Sequence, residues 1–157
     1  MTETIHEQIA QWIAAALDGK QDADATLTLR AVRPKILDWT VEDFQHGDVV
    51  IEAEGLATES RTTVSSRTEK AALTCYGIIR ELPADTVADA DTVVSRMIKT
   101  IRSLLLAGNS AGTACGGLAV SIDCPKVDFE IMAGGLVADV TVSVTYRTAL
   151  KDGYTQA

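Results

Sequence analysis

Residues 89–107 read DADTVVSRMIKTIRSLLLA, and residues 135–147 read GLVADVTVSVTYR. In the first, Val94, Ile98, Ile101 and Leu105 recur at i, i+4, i+7 and i+11, the spacing of one helical stripe. Asp89 or Asp91 offers an N-cap, and Gly108 a C-terminal stop. In the second, Val140, Val142, Val144 and Tyr146 alternate with Asp139, Thr141, Ser143, Thr145 and Arg147. That is the period of a strand with one buried face. The reading that follows packs the helix stripe onto the sheet face bearing Val140, Val142 and Val144.

Outward from this stretch, Thr4 and Glu7 are spaced as a capping box. Ile5, Ile9, Trp12, Ile13, Ala16 and Leu17 form a second helical stripe, closed by Gly19, with Trp12 read as core. Thr26 to Arg33 alternates Leu27, Leu29 and Ala31 with Thr28 and Arg30, a strand stopped by Pro34. Lys35 to Asp48 is a long connection whose Trp39 and Phe44 are expected to pin it over the end of the core. Asp48 to Leu56 and Ala71 to Arg80 read as strands. After the central helix, Leu118 to Cys124 is a strand broken by Pro125, and Val127 to Met132 extends again. Ala133-Gly134-Gly135 makes a hairpin turn into the last strand. Lys151 to Ala157 reads as a frayed tail.

The expected fold is therefore α+β: one domain over 1–157 with a mostly antiparallel sheet and two helices packed on one face. The expected order is α-βββ-α-βββ. Residues 57–70 are rich in Ser and Thr, with Val64 their only large apolar residue. They read either as a flexible hairpin arm projecting from the body or as a mobile surface loop.

The chain has 157 residues, 46% hydrophobic and 23% charged, with a net charge of −8. That composition suits a globular domain and argues against a general nucleic-acid binder, which is normally basic. Cys75, Cys115 and Cys124 are odd in number and lack metal-ligand spacing, so reduced thiols made in a cytosol are expected. The acidic start Met-Thr-Glu-Thr-Ile-His-Glu does not read as a secretory signal. Ser103 to Ile122 is uncharged over a membrane-span length, with glycines at 108, 112 and 116. Its Asn109, Ser110, Thr113 and Ser121 make it a loop between helix and strand instead.

Chemical motifs are weak. Gly108-Asn109-Ser110-Ala111-Gly112 matches G-x-S-x-G by letter, but a helix precedes the serine where a strand is required. His6 and His46 both precede it, against the hydrolase order. Cys115 beside Gly116-Gly117 is a possible thiol nucleophile with no base placed by a motif. There is no phosphate loop, and the Asp22/Asp24 and Asp89/Asp91 pairs lack the rest of a calcium loop. No catalytic residue, cofactor or metal is expected. One charge pattern stands out: Arg96, Lys99 and Arg102 form a basic ridge on the central helix, away from its apolar stripe. With Arg61, Val64, Arg67 and Lys70 of the 57–70 segment they make a candidate subunit interface, meeting acidic surface on a neighbour.

With these elements assembled, the chain resembles the tail terminator (tail completion) proteins of long-tailed bacteriophages. The features are the helix 4–18, the strand Leu27–Arg33 closed by Pro34, the long hairpin 48–80, the helix 91–107 and the closing hairpin 127–147. The resemblance implies a structural virion protein of the tail or neck, assembled in the host cytoplasm. Subunits there form a homo-oligomeric ring, a hexamer, that caps the tail tube, stops its polymerisation and provides the head-docking surface. The implied partners are the tail tube protein and a neck or head-completion protein, with neither sequence-specific nucleic acid nor membrane. The family has no catalytic residues to carry over. Two other readings stand beside it: another phage neck or connector adaptor, and a small-ligand or thiol enzyme module using the Gly108–Gly117 loop.

Overall fold

The computed structural model describes residues 4–23, 27–34, 38–62, 66–80, 89–110, 112–132 and 134–149, with 54–62, 66–67, 90 and 148–149 as backbone alone. Helix α1 (Ile5–Leu17) starts where the capping box predicts. The Glu7 amide donates to Thr4 Oγ1 at 3.1 Å, and the Thr4 amide donates to Glu7 Oε2 at 2.8 Å. Two of the four orphan amides of the first turn are thereby satisfied. Asp18 is the C-cap, and Gly19 follows it in the left-handed region at φ 73°. Helix α2 (Ala90–Leu106) is capped by Asp89, whose Oδ1 accepts from the Thr92 amide at 2.8 Å. Hydrogen bonds from the Thr92 hydroxyl and then from its amide hold the Asp89 carboxyl below its ordinary pKa.

Among the described residues five strands follow the chain as β1 (Arg30–Val32), β2 (Asp48–Thr62), β3 (Ser66–Arg80), β4 (Ser121–Met132) and β5 (Gly135–Ala149). They form one sheet in the order β1-β2-β3-β5-β4. Only β1 and β2 pair in parallel; every other pairing is antiparallel. Both helices cover one face, where Ile5, Ile9, Ile13 and Leu17 of α1 and Val93, Val94, Met97, Ile101 and Leu105 of α2 are buried. Opposite them lie Val49 and Ile51, Leu73 and Cys75, and Val140, Val142, Val144 and Tyr146. The α+β reading holds, and so does the packing of α2 on the valines of β5.

Several details differ from the sequence reading. Thr26–Arg33 contributes only three strand residues, tied to β2 by Arg30, whose Nε and Nη2 donate to the two oxygens of buried Asp48 at 2.8 and 2.7 Å. Met97, outside the expected stripe, is fully buried, while Ile98 is half-buried. The reason is local: Gly77 and Ala138 face each other across β3 and β5, and a Cβ at Gly77 would collide with the Met97 side chain. The sheet is dished there, and Met97 fills the dish. Gly108 follows the Ala107 C-cap, where a left-handed stop would sit, but its φ is not positive, so it does not end the helix in that way. A Cβ at Gly108 would lie 2.5 Å from the Trp12 ring, so the glycine lets α1 and the end of α2 approach. Trp39 and Phe44 pack on the helix-free face rather than over the end of the core. There they cover Val41, Val50, Ile78 and Val137, with Arg80 donating to the Val41 and Phe44 carbonyls.

Among the described residues the second half of the chain has two strands where three were expected, because Pro125 does not end β4. Between Asp123 and Lys126 that strand spends three residues while β5 spends two, from Ser143 to Thr141. This is a bulge, and β4 is an edge strand, so the missing proline N–H costs no ladder bond on its open side. The bulge also changes which residues face the helices. Before it, Ile122 and Cys124 point in; after it, Val127, Phe129 and Ile131 stand opposite Val140, Ala138 and Leu136.

Over residues 57–70 the backbone follows the continued-strand reading. Strands β2 and β3 pair out to Thr62 and Arg67, and β5 runs beside β3 to the Ser66–Ala149 pair. The extension is therefore three-stranded where described, not a free two-stranded arm. Val64 and the 151–157 tail lie outside the described residues.

Candidate functional site

The central helix sets out its cations by its own period. With the buried face fixed by Met97, Ile101 and Leu105, the outer face falls to Ser95, Lys99 and Arg102, which are exposed, and to half-buried Arg96. Arg96 and Lys99 line a shallow cavity of about 390 Å³ together with Gln21, Asp22, Thr100 and Ser103. Its floor is ordered by Asp22, which is buried and accepts from the Leu27 amide at 3.0 Å. Arg102 lies on the other flank, near enough to Cys124 of β4 to favour its thiolate.

Lys70 is exposed on β3, level with Ala57 and Thr145. Adjacent Ala71 is buried in the main core, so strand alternation sends Lys70 to the helix-free face. The expected interface thus divides. The α2 ridge and Lys70 lie on opposite faces of the sheet, and they cannot meet one flat partner together. Arg61 and Arg67 sit near the far end of the β2–β3 hairpin, described by backbone alone.

The Gly108–Gly117 loop is a structural joint. Asn109 accepts from the Ile122 amide at 3.0 Å and donates to its carbonyl at 2.8 Å, as a neighbouring strand would. Ser110 and Thr113 exchange both backbone hydrogen bonds, and their hydroxyls lie 2.9 Å apart. Cys115 occupies a left-handed turn at φ 52° and is fully buried. Burial pushes its thiol up to about 12, the opposite of the shift that makes a nucleophilic thiolate. Cys124 is likewise pushed up to about 11 by burial. His46 accepts from the Arg80 amide at 3.2 Å, at the end of β3 paired with Gly135. Cys115 precedes Ser121, paired with Thr145 at the other end of β5. Ten residues of strand separate those levels, roughly 33 Å. The structure does not bring His46 to Cys115.

The most exposed large apolar side chains among the described residues lie outside the expected interface. Val127, Phe129 and Ile131 are 40%, 49% and 80% exposed, rising toward the β4–β5 turn. They share one face of an edge strand whose other face carries Lys126, Asp128 and Glu130. The signal available in the sequence was the alternation Val127-Asp128-Phe129-Glu130-Ile131 itself. Taking Pro125 as a strand end hid its connection to the Ile122–Cys124 strand.

Among the described residues no group of three or more His, Cys, Asp or Glu side chains is placed to hold a metal ion. No described helix is long and apolar enough to cross a membrane. Comparison with known protein families finds no match, and comparison with curated proteins finds none either.

Proposed function

We propose that this chain is a structural virion subunit of the tail terminator type. Copies form a ring that caps a phage tail tube, stops its polymerisation and presents the surface on which the head docks. The observation that carries the reading is the architecture. A five-stranded, mostly antiparallel sheet has both helices on one face, in the order α1-β1-β2-β3-α2-β4-β5, with a long β2–β3 hairpin. A cap also needs two unlike ends, and this fold supports that. The outer face of α2 carries Arg96, Lys99 and Arg102, while Asp128 and Glu130 follow the helix-free side of β4. The tube protein and a neck or head-completion protein are the proposed partners of those two sides.

The test is the particle formed by the purified chain. Sedimentation velocity across a wide concentration series reads the mass, and negative-stain images read the shape. A closed ring of defined copy number is the expected product. A chain that stays monomeric up to millimolar concentration would remove the reading.

A further inference from the structure

We propose that His46 is a proton-operated clasp. With its ring neutral it fastens the 38–47 connection to the end of β3; protonation undoes that bond and loosens the cover over the small apolar core on the helix-free face. The device belongs to the single chain and does not depend on the ring.

The clasp follows from the backbone around it. Along β3 alternate residues turn their N–H and C=O groups to the β2 side. Ile78 does so, its carbonyl accepting from the Gly47 amide at 2.9 Å. Arg80 is the next to face that way, and its amide is met by a side chain, His46 Nδ1, at 3.2 Å. The backbone carbonyls on either side of His46 are committed elsewhere, Gln45 to the Asp48 amide and Gly47 to the Arg30 amide, each at 3.1 Å. Gly47, at φ 91°, makes the bend that presents His46 to β3, at a point where a Cβ would strike the Thr28 carbonyl oxygen.

Charge decides whether the bond exists. A backbone N–H only donates, so Nδ1 must bring a lone pair, which the neutral ring has and the imidazolium lacks. Protonation sets one N–H against another. Partial burial of the ring already holds its pKa below the ordinary histidine value, with no charge among the described residues contributing. The charged groups of the elements it joins are Arg80 of β3, Arg30 of β1, Asp48 of β2, and Glu42 and Asp43 of its own connection. Asp48 is committed to Arg30 and the Gln45 amide, and Asp43 to the Thr40 amide. A lowered folded pKa means that the closed clasp is fully favoured above the ordinary value of about 6.5 and weakens as pH falls below it.

Arg80 grips the same connection a second time, Nη1 donating to the Val41 and Phe44 carbonyls at 3.2 and 2.9 Å. Trp39 lies edge-on against Phe44 and Tyr76, ring centroids 5.3 and 5.2 Å away. Together they roof Val41, Val50, Ile78 and Val137. Loss of the His46 bond leaves the guanidinium as Arg80's one hold on the connection. Acid therefore loosens this roof and leaves the helix-side core in place.

Hydrogen exchange read by mass spectrometry on the full chain, corrected for its intrinsic pH dependence, tests this between about pH 5.5 and 7.5, above the carboxylate range. His6, the other histidine, is replaced by Gln in each protein compared. In that background, protection of 38–47 and 76–80 is expected to fall severalfold on acidification. His46→Asn keeps an acceptor at the place of Nδ1 and does not titrate, so its protection is expected to stay high throughout. His46→Ala is expected to be as weakly protected at the upper pH as its parent is at the lower. Protection in the parent that ignores pH would overturn the clasp, as would a pH response surviving in His46→Asn. Equal protection of His46→Ala and the parent at the upper pH would also overturn it. Peptides from α1 and α2 are expected to stay constant; a matching fall there would replace the local clasp by global acid unfolding. If His6→Gln disturbs α1, the natural chain against His46→Asn alone makes the same comparison.

Discussion

The dish that holds Met97 permits a quantitative test of how α2 sits on the sheet. Met97 is fully buried, and its side chain occupies the space a Cβ at Gly77 would need. Met97→Ala removes three heavy atoms from a closed site, so the lost transfer energy and the residual cavity should together cost about 2–5 kcal/mol. Gly77→Ala alone overfills the same space and should cost about 1–3 kcal/mol. Gly77 lies in a strand without a positive φ, so alanine there carries no backbone penalty and an intrinsic gain of roughly 0.5–1 kcal/mol. In the Met97→Ala background the new methyl enters the vacated volume, and Gly77→Ala should become neutral or stabilising. The coupling between the two changes is then about 1–3 kcal/mol. Urea melts of the four proteins measure it, and thermal melts check it at roughly 2–4 °C per kcal/mol for a domain of this size. If the two changes add within about 0.5 kcal/mol, Met97 does not sit over Gly77 and the helix placement is wrong.

Ile101→Ala should cost about 2–5 kcal/mol in denaturant melts, whereas exposed Lys99→Ala should stay within about 0.5 kcal/mol; equal losses would reverse the assigned faces of α2. Arg30→Ala leaves the buried Asp48 carboxylate without its guanidinium and should lower stability, read by the same melts, with Arg30→Lys recovering only part because it cannot reproduce the two-point contact. Raising the pH should destabilise the fold: burial lifts the Cys75, Cys115 and Cys124 thiols, and burial with a hydrogen bond to Glu69 lifts Tyr146. A raised folded pKa means that the unfolded chain loses its protons first. The stability is therefore complete below about pH 8.5 and declines as pH rises toward 11, the unfolded thiol titrating near 8.5 and tyrosine near 10. Melts at pH 7 and pH 10 should show it, and Cys124→Ala should flatten the slope.

Both helices are legible in the sequence because their signals are local. The Thr4–Glu7 box and the Asp89 cap each act over three residues, and the stripes repeat within a turn or two. The valines of β5 are legible for the same reason, their period being set by the pleat. What lies beyond reach depends on other strands. Met97 is buried because Gly77 and Ala138, far away in sequence, leave room for it. The division of the basic residues between two faces follows from the β3 register, which no local pattern around Lys70 declares. Pro125 reads as a stop until β4 is known to be an edge; only then does it become a bulge that turns Phe129 toward the helices.

The sheet order carries a consequence for how the chain folds. Strands β2 and β3 are joined by a short connection, as are β4 and β5, so each hairpin closes a small loop and can form early. The β3–β5 seam that unites them is different. Its nearest pair, Arg80 with Gly135, closes over the whole of α2, and its farthest, Ser66 with Ala149, over nearly all the rest of the second half. Loop-closure entropy must be met before that seam rewards it. Helix α2, lying across β3, β5 and β4, is the element that brings the two hairpins within reach. The rate-limiting step should then be hairpin docking around a formed α2, so cavity mutations at Met97 and Ile101 should slow folding, while changes at the hairpin end chiefly speed unfolding.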